Sequence, residues 1–180
     1  MQFWNVPDQA GLPTVDAAAI VGAGGINPNM GKGALIARNP GSLVADGGPF
    51  LKLDWIGAGV AYDDLGFFDD QNGFVIPDVD PPIQRVRMWT HVVWPGALGT
   101  RGMFHSFVGS NVPITGLGFD QLPETGTVGQ FYRDTLASAP INFNTGPIDT
   151  DKPLNCFVGQ SGSGGPITLS LQQMAIEVVR

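Results

Sequence analysis

Six aspartates lie between residues 63 and 80, where they form the densest group of possible metal ligands in the sequence. Ca²⁺ prefers oxygen ligands, and carboxylates supply many of them in proteins. The four aspartates that come first therefore form a candidate calcium site: Asp63, Asp64, Asp69 and Asp70. Their spacing does not match a calcium-binding loop, however, and Asp and Asn favour turns on their own account. The sequence favours solvated turn residues over a metal site.

The other side chains that could take part in catalysis lack the partners that catalysis needs. Cys156 is the one cysteine of the chain, and neither His91 nor His105 carries the local signature of a partner for a nucleophilic thiol. No third ligand stands near the two histidines, so we expect surface or interface positions for both. The serines within residues 159–165 lack the strand-to-helix context of a nucleophile elbow. We therefore expect a protein that is not an enzyme, with no cofactor and a buried, inert thiol.

Two glycine-rich stretches near the N-terminus have only part of a nucleotide-binding motif. Residues 19–25 read as a strand followed by glycines, but the dinucleotide-binding fingerprint needs a helix directly after them. Here Asn27, Pro28 and Asn29 follow, which favour a turn. Lys32 lies in a Gly-Lys-Gly sequence that lacks the Ser or Thr of a phosphate-binding loop. Nucleotide binding is therefore not expected.

The charge balance excludes two classes of partner. The formal net charge is −7, from 9 basic and 16 acidic residues. Because phosphate binding needs clustered Lys and Arg, we expect no nucleic-acid partner and no anionic membrane surface. No apolar run approaches the roughly 20 residues of a membrane span. Residues 1–5 also lack the basic and apolar regions of a signal peptide.

The rest of the pattern is one of short strands joined by turns. The chain has 26 Gly and 15 Pro, spread along its length, and no window longer than ten residues keeps a helical period without one of them. Residues 83–94 form the clearest internal strand. Its alternation predicts one core-facing set, Val86, Met88, Val92 and Trp94, and another that faces solvent or a neighbouring subunit, Arg85, Arg87 and His91. About eight to ten such strands predict an all-β sandwich or barrel, of which the jelly roll is one form.

The last stretch, residues 157–180, reads as a hairpin that leads into a long closing strand. Ile167, Leu169 and Leu171 share one face of that strand, and the phase shifts by one residue near Gln172 and Gln173. The shift predicts a β-bulge. We expect this strand to lie in the middle of a sheet, because a frayed strand would expose its apolar surface.

Residues 1–48 differ from the rest, with nine glycines, four prolines and only five charged residues. They are too apolar for a solvated tail, and residues 17–21 could form a short strand. One interpretation is an extended N-terminal arm that orders against a partner surface; the alternative is irregular cover on its own domain. The predicted division is therefore an arm at 1–48 and a β-sandwich at 49–180.

From about residue 60 to 179, the order of features resembles the jelly roll of the tumour-necrosis-factor and complement globular-head superfamily, as found in phage structural proteins. The Gln-Ser-Gly hairpin before the closing strand is the most specific piece. The pieces that carry the resemblance are residues 62–69, 73–77, 92–94, 101–111 and 157–165. The resemblance implies a jelly-roll β-sandwich that assembles as a homotrimer, with one face of each sheet buried between subunits.

Together these features predict a structural protein of a bacteriophage virion, assembled in the host cytoplasm. The arm would attach it to other capsid or tail proteins. Head decoration and a receptor-binding spike both fit, but the short arm and the lack of repeats favour a decoration or minor capsid protein. The predicted interface or ligand surface consists of Phe3, Trp4, Arg87, Trp89 and His91.

The alternative is a carbohydrate-binding module that recognises a host-surface glycan. Aromatic side chains stack on sugar rings, and the tryptophans supply four candidates: Trp4, Trp55, Trp89 and Trp94. We expect Trp94 to fill the core and Trp89 to face outward beside Arg87 and His91.

Overall fold

The structure is a computed structural model that describes residues 28–96, 99–110, 113–114, 120–123, 128–138 and 145–179. All regular structure in these ranges is β-strand, and none of them holds a helix that could cross a membrane. The strands are β1 (Gly33–Arg38), β2 (Leu43–Val44), β3 (Leu51–Lys52), β4 (Gly59–Asp63), β5 (Phe68–Asp69), β6 (Gly73–Phe74), β7 (Arg85–Trp94), β8 (Thr100–Phe107), β9 (Asp120–Pro123), β10 (Val128–Ala137), β11 (Thr145–Pro147), β12 (Leu154–Ser161), β13 (Ile167–Thr168) and β14 (Leu171–Val178).

The strands form two main sheets that pack around one apolar core. The first, which we call the six-stranded sheet, has the unbranched order β11-β10-β7-β14-β1-β4. The second, which we call the branched sheet, has the order β5-β6-β12-β8-β9 and a sixth strand, β3, that also pairs with β12. Strands β2 and β13 form a small separate ribbon. The predicted all-β, jelly-roll-like sandwich is therefore confirmed.

Strand β7 shows how the sequence builds this sandwich. Val86, Met88, Val92 and Trp94 are fully buried in the core, as predicted. The residues between them point to the other face of the sheet, because side chains alternate along a strand. We call that face of the six-stranded sheet, which is directed away from the core, its outer face.

Strand β14 lies in the middle of the six-stranded sheet, between β7 and β1, as the sequence predicted. The phase shift, however, lies at Leu169 and Ser170, where the chain leaves β13, rather than at Gln172 and Gln173. Gln172 is fully buried and keeps phase with Met174. The buried side-chain amide has hydrogen-bond partners at both ends. Oε1 accepts the Ser42 N–H at 2.8 Å, and Nε2 donates to the Asp54 carbonyl at 2.5 Å.

The predicted arm is too long. Residues 33–38 form β1, which pairs with both β14 and β4 in the six-stranded sheet. Val44 of β2 is buried in the core. Ala34 and Ile36 are fully buried, so this part of residues 1–48 belongs to the sandwich. Residues 1–27 lie outside the described residues, and so does the predicted strand at 141–143.

Candidate functional site

Arg87, Trp89 and His91 share the outer face of β7, as predicted. Arg87 is exposed, while Trp89 and His91 are half-buried. Phe3 and Trp4, the other two residues of the predicted surface, lie outside the described residues. The described part of the predicted surface is therefore a row of side chains along β7, a central strand of the six-stranded sheet.

Strand pairing extends this surface into an apolar row. Trp89 is the cross-strand partner of Ala175, Ala175 pairs with Leu35, and Leu35 pairs with Tyr62. Tyr62 is 44% exposed, whereas Ala175 is fully buried although it faces away from the core. Leu35 and Trp89 are its cross-strand neighbours on the two sides. The row crosses β4, β1, β14 and β7.

Polar residues border the apolar row. Arg87 lies opposite Glu177 in the register of β7 and β14, and such opposed charges on neighbouring strands stabilise a pair modestly. His91 Nδ1 lies 3.4 Å from Gln173 Oε1. Arg133 of β10, the cross-strand partner of Trp89, is exposed. An apolar centre with a polar border is the usual anatomy of a protein–protein interface.

His105 is buried, contrary to the predicted surface position. It lies on the core face of β8 and is fully buried, with Nε2 2.8 Å from Thr90 Oγ1 and its ring edge-on to Tyr132 at 5.0 Å. Its cross-strand partner is Cys156, which is also fully buried, as expected. This Cys-His juxtaposition comes from sheet register, so spacing in the sequence does not reveal it. Burial of both groups keeps them away from any substrate.

Three of the four aspartates of the candidate calcium site accept hydrogen bonds from backbone N–H groups. Asp63 accepts backbone N–H groups of Gly66, Phe67 and Phe68 at 2.8–3.0 Å. Asp69 caps its own turn, and Asp64 accepts the Gly33 N–H at 3.0 Å, which ties β1 to the end of β4. No group of three possible ligands is arranged for a metal ion within the part of the chain that the structure describes.

Two of the four tryptophans are core residues. Trp55 and Trp94 are fully buried, and each indole Nε1 donates to a buried amide, Asn155 Oδ1 at 3.0 Å and Gln130 Oε1 at 3.1 Å respectively. The core position predicted for Trp94 is thus confirmed. Neither ring is available to stack on a sugar.

A small cleft on the branched sheet was not predicted. It has a volume of about 180 Å³, and glycines of two neighbouring strands, the cross-strand partners Gly102 and Gly159, leave room for it. Phe50 packs over Gly159, where an added Cβ would lie 3.1 Å from the ring. The cleft is lined by Gly47, Gly48, Phe50, Thr100, Gly102, Gly159, Gln160 and Ser161. An aromatic wall beside hydroxyl groups suits a small polar ligand with an apolar face.

Asp46 fixes the Gly/Ser loop beside this cleft. Its carboxylate accepts the N–H groups of Gly162 at 2.7 Å, Gly164 at 2.8 Å and Ser163 at 3.4 Å. Partial burial raises the pKa of Asp46, but these hydrogen bonds stabilise the charged form more strongly, so the pKa lies below its usual value. The loop is therefore held by an ionised carboxylate.

Comparison with known proteins establishes the fold and leaves the family open. No family model matches the chain, and no curated protein matches it. Among solved structures, PRD1 vertex protein P5 is similar, with a TM-score of 0.53 and 8% identity over 84% of this chain and 99% of that chain. At this identity the likeness shows a shared fold, in agreement with the jelly roll expected from the sequence.

Proposed function

We propose that the protein is a structural component of a bacteriophage virion that assembles as a homotrimer through the outer face of its six-stranded sheet. The observation that carries this proposal is the apolar row of Tyr62, Leu35, Ala175 and Trp89 with its border of Arg87, Glu177 and Arg133. In the proposed trimer, this face of each subunit lies against the other two subunits around the threefold axis. The shared fold with a phage vertex protein supports the same setting.

In this proposal, residues 1–27 attach the protein to the particle. The sandwich already includes β1 and β2, so the anchoring part of the predicted arm shrinks to residues 1–27. Phe3 and Trp4 supply its aromatic side chains. Other capsid or tail proteins are the proposed partners, at a decoration, minor capsid or vertex position.

The native mass of the purified chain tests the assembly. Light scattering on a sizing column should give three times the chain mass of 19.0 kDa. A chain that starts at residue 28 should still give three times its own, smaller chain mass but lose binding to particles. A monomer that persists when the proposed anchor protein is added would contradict the trimer, and full particle binding by the shortened chain would contradict the anchor.

Carbohydrate binding is the second candidate, and the cleft at Phe50 is the observation that favours it. A volume of about 180 Å³ suits one sugar ring stacked on Phe50, and the cross-strand pair Thr100 and Ser161 also lines the cleft. A glycan array should then show binding that Phe50→Ala abolishes and Phe50→Tyr retains. If the full chain binds no glycan at high concentration, this candidate is excluded.

A further inference from the structure

Lys52 and Asn72 are in direct contact on the branched sheet, although 20 residues separate them in the sequence. Lys52 Nζ donates one hydrogen bond to Asn72 Oδ1 at 3.0 Å and another to the Gln71 carbonyl at 3.0 Å. A carbonyl bond is about 1.23 Å long, so Nζ lies within about 4.2 Å of Asn72 Cγ. The amine is therefore close to the distance from which it could attack the side-chain amide.

A carboxyl group lies on the other side of the same amide. Asn72 Nδ2 is 3.5 Å from Asp69 Oδ2. The two contacts agree on the orientation of the amide, because its oxygen faces the amine donor and its nitrogen faces the carboxylate acceptor. That nitrogen is the group that would leave if Lys52 attacked the amide carbon. Asp69 is thus placed to pass a proton to the leaving nitrogen.

The surrounding structure holds both reacting side chains in place. The Asn72 N–H donates to the Asp69 carbonyl at 3.2 Å and to Asp69 Oδ1 at 3.0 Å, and the Asn72 carbonyl accepts Asn155 Nδ2 at 2.7 Å. Lys52 is fixed from the other side, because its strand β3 pairs with β12. Groups that are already positioned lose little entropy when they react.

We propose that Lys52 and Asn72 form an intramolecular isopeptide bond, with Asp69 as the catalytic carboxyl group. The neutral amine of Lys52 attacks Asn72 Cγ, and the bond between Cγ and Nδ2 breaks. One Nζ proton moves by way of Asp69 to Nδ2, which leaves as ammonia, so Asp69 ends unchanged and no oxidant is needed. Lysine is mostly protonated at neutral pH, but a small neutral fraction suffices because each molecule reacts only once.

The bond ties β3 covalently to the turn between β5 and β6. Strand β3 has only two residues, so few backbone hydrogen bonds hold it on the sheet. Cys156 is the one cysteine of the chain, so a disulfide within the chain cannot supply such a link. A closed covalent loop restricts the unfolded chain and thereby stabilises the folded state. This inference does not depend on the proposed virion role.

Trypsin digestion of the full-length chain tests the bond, because acylation of Nζ makes Lys52 resistant to cleavage. Residues 53–84 contain no Lys or Arg. The linked protein should therefore give one peptide, residues 39–85, with a mass lower than the sequence mass by one molecule of ammonia. Complete cleavage into peptides 39–52 and 53–85, together with an intact mass that shows no loss of ammonia, would overturn the proposal.

Three variants test the roles of the individual residues. Lys52→Arg should restore the full intact mass. Lys152→Arg is the matched control and should keep the loss of ammonia, because Lys152 Nζ bonds to the Asp149 carboxylate. Asp69→Asn keeps a side-chain oxygen for the turn but should slow bond formation at least about tenfold, as followed by intact mass after cell-free synthesis. Equally fast formation in Asp69→Asn would overturn the catalytic role of Asp69.

Succinimide formation at Asn72 and Gly73 is the competing reaction, since it also releases ammonia. It leaves the Lys52 amine free, so trypsin would still cleave after Lys52, and the mass loss would persist in Lys52→Arg. Isopeptide formation predicts the opposite result in both measurements. A loss of ammonia that persists in Lys52→Arg would therefore overturn the isopeptide bond.

Discussion

The indole Nε1 of Trp55 donates a 3.0 Å hydrogen bond to Oδ1 of Asn155, and both side chains are fully buried. The same oxygen accepts the Cys156 N–H at 2.7 Å, and Nδ2 donates to the carbonyls of Leu53 at 3.0 Å and Asn72 at 2.7 Å. One amide therefore holds the segment after β3 and the β5–β6 turn against β12. Every polar group of this cluster is satisfied, which is what makes its burial tolerable.

Removing that amide should destabilise the sandwich strongly. Asn155→Ala leaves the N–H groups of Trp55 and Cys156 and the Leu53 carbonyl buried without this partner. We therefore expect a loss of about 3 kcal/mol in the free energy of unfolding. Urea denaturation followed by tryptophan fluorescence measures it. Ser138→Ala, at an exposed position, should change stability by less than about 0.5 kcal/mol. A loss below about 1 kcal/mol for Asn155→Ala would mean that water replaces the amide.

Gly33→Ala tests whether β1 is an integral strand. A Cβ at this position would lie 2.2 Å from the carbonyl oxygen of Ile176, so backbone must shift, at an expected cost of about 3 kcal/mol. Gly59→Ala on the neighbouring strand β4 is the control, because its Cβ would meet only the Ala37 carbonyl, at 3.8 Å. Thermal unfolding compares the two. Equal stability of both variants would contradict the pairing of β1 with β14.

Asp46 should make the Gly/Ser loop sensitive to acid. Its pKa is lowered in the folded state, so the stability that it contributes is present above the unfolded-state pKa and is lost as the pH falls through the folded-state pKa. The amide protons of Gly162 and Gly164 should therefore shift in NMR spectra below about pH 4. Asp46→Asn should abolish that titration. Persistence of the shift in the variant would assign it to another carboxylate.

Trp89 should be an energetic centre of the proposed trimer. Buried Trp residues at the middle of an interface commonly contribute at least about 2 kcal/mol to binding, so Trp89→Ala should move the assembly towards monomer in analytical ultracentrifugation. Trp89→Phe keeps an aromatic contact with Ala175 and should largely retain the trimer. If both variants assemble like the parent protein, the outer face of the six-stranded sheet is not the interface.

Local alternation was sufficient to predict β7 and both of its faces, because each side chain's direction follows from its neighbours in the strand. The same reasoning missed β1. Its apolar run is short, from Ala34 to Ala37. The strand is specified by partners on β14 and β4 that are distant in sequence. Glycine-rich composition suggested an arm, whereas Gly33 is needed for close approach to Ile176.

Local sequence patterns also failed to predict which polar side chains are buried. Burial of His105 depends on Thr90 from another strand, and burial of Gln172 depends on Ser42 and Asp54. The cleft arises because sheet register aligns Gly102 with Gly159. Such features follow from long-range pairing, which sequence periodicity does not encode.

The central position of β14 has a consequence for biosynthesis. Strands β1 and β7 leave the ribosome well before β14, yet each depends on β14 for a neighbour in the sheet. Sheets built from such non-local pairs fold slowly, and unpaired strands of an incomplete sheet are prone to aggregate. We expect the strands of the six-stranded sheet to pair fully only after β14 has been translated. Chaperones that shield the nascent chain, or growth at low temperature, should therefore raise the yield of soluble protein.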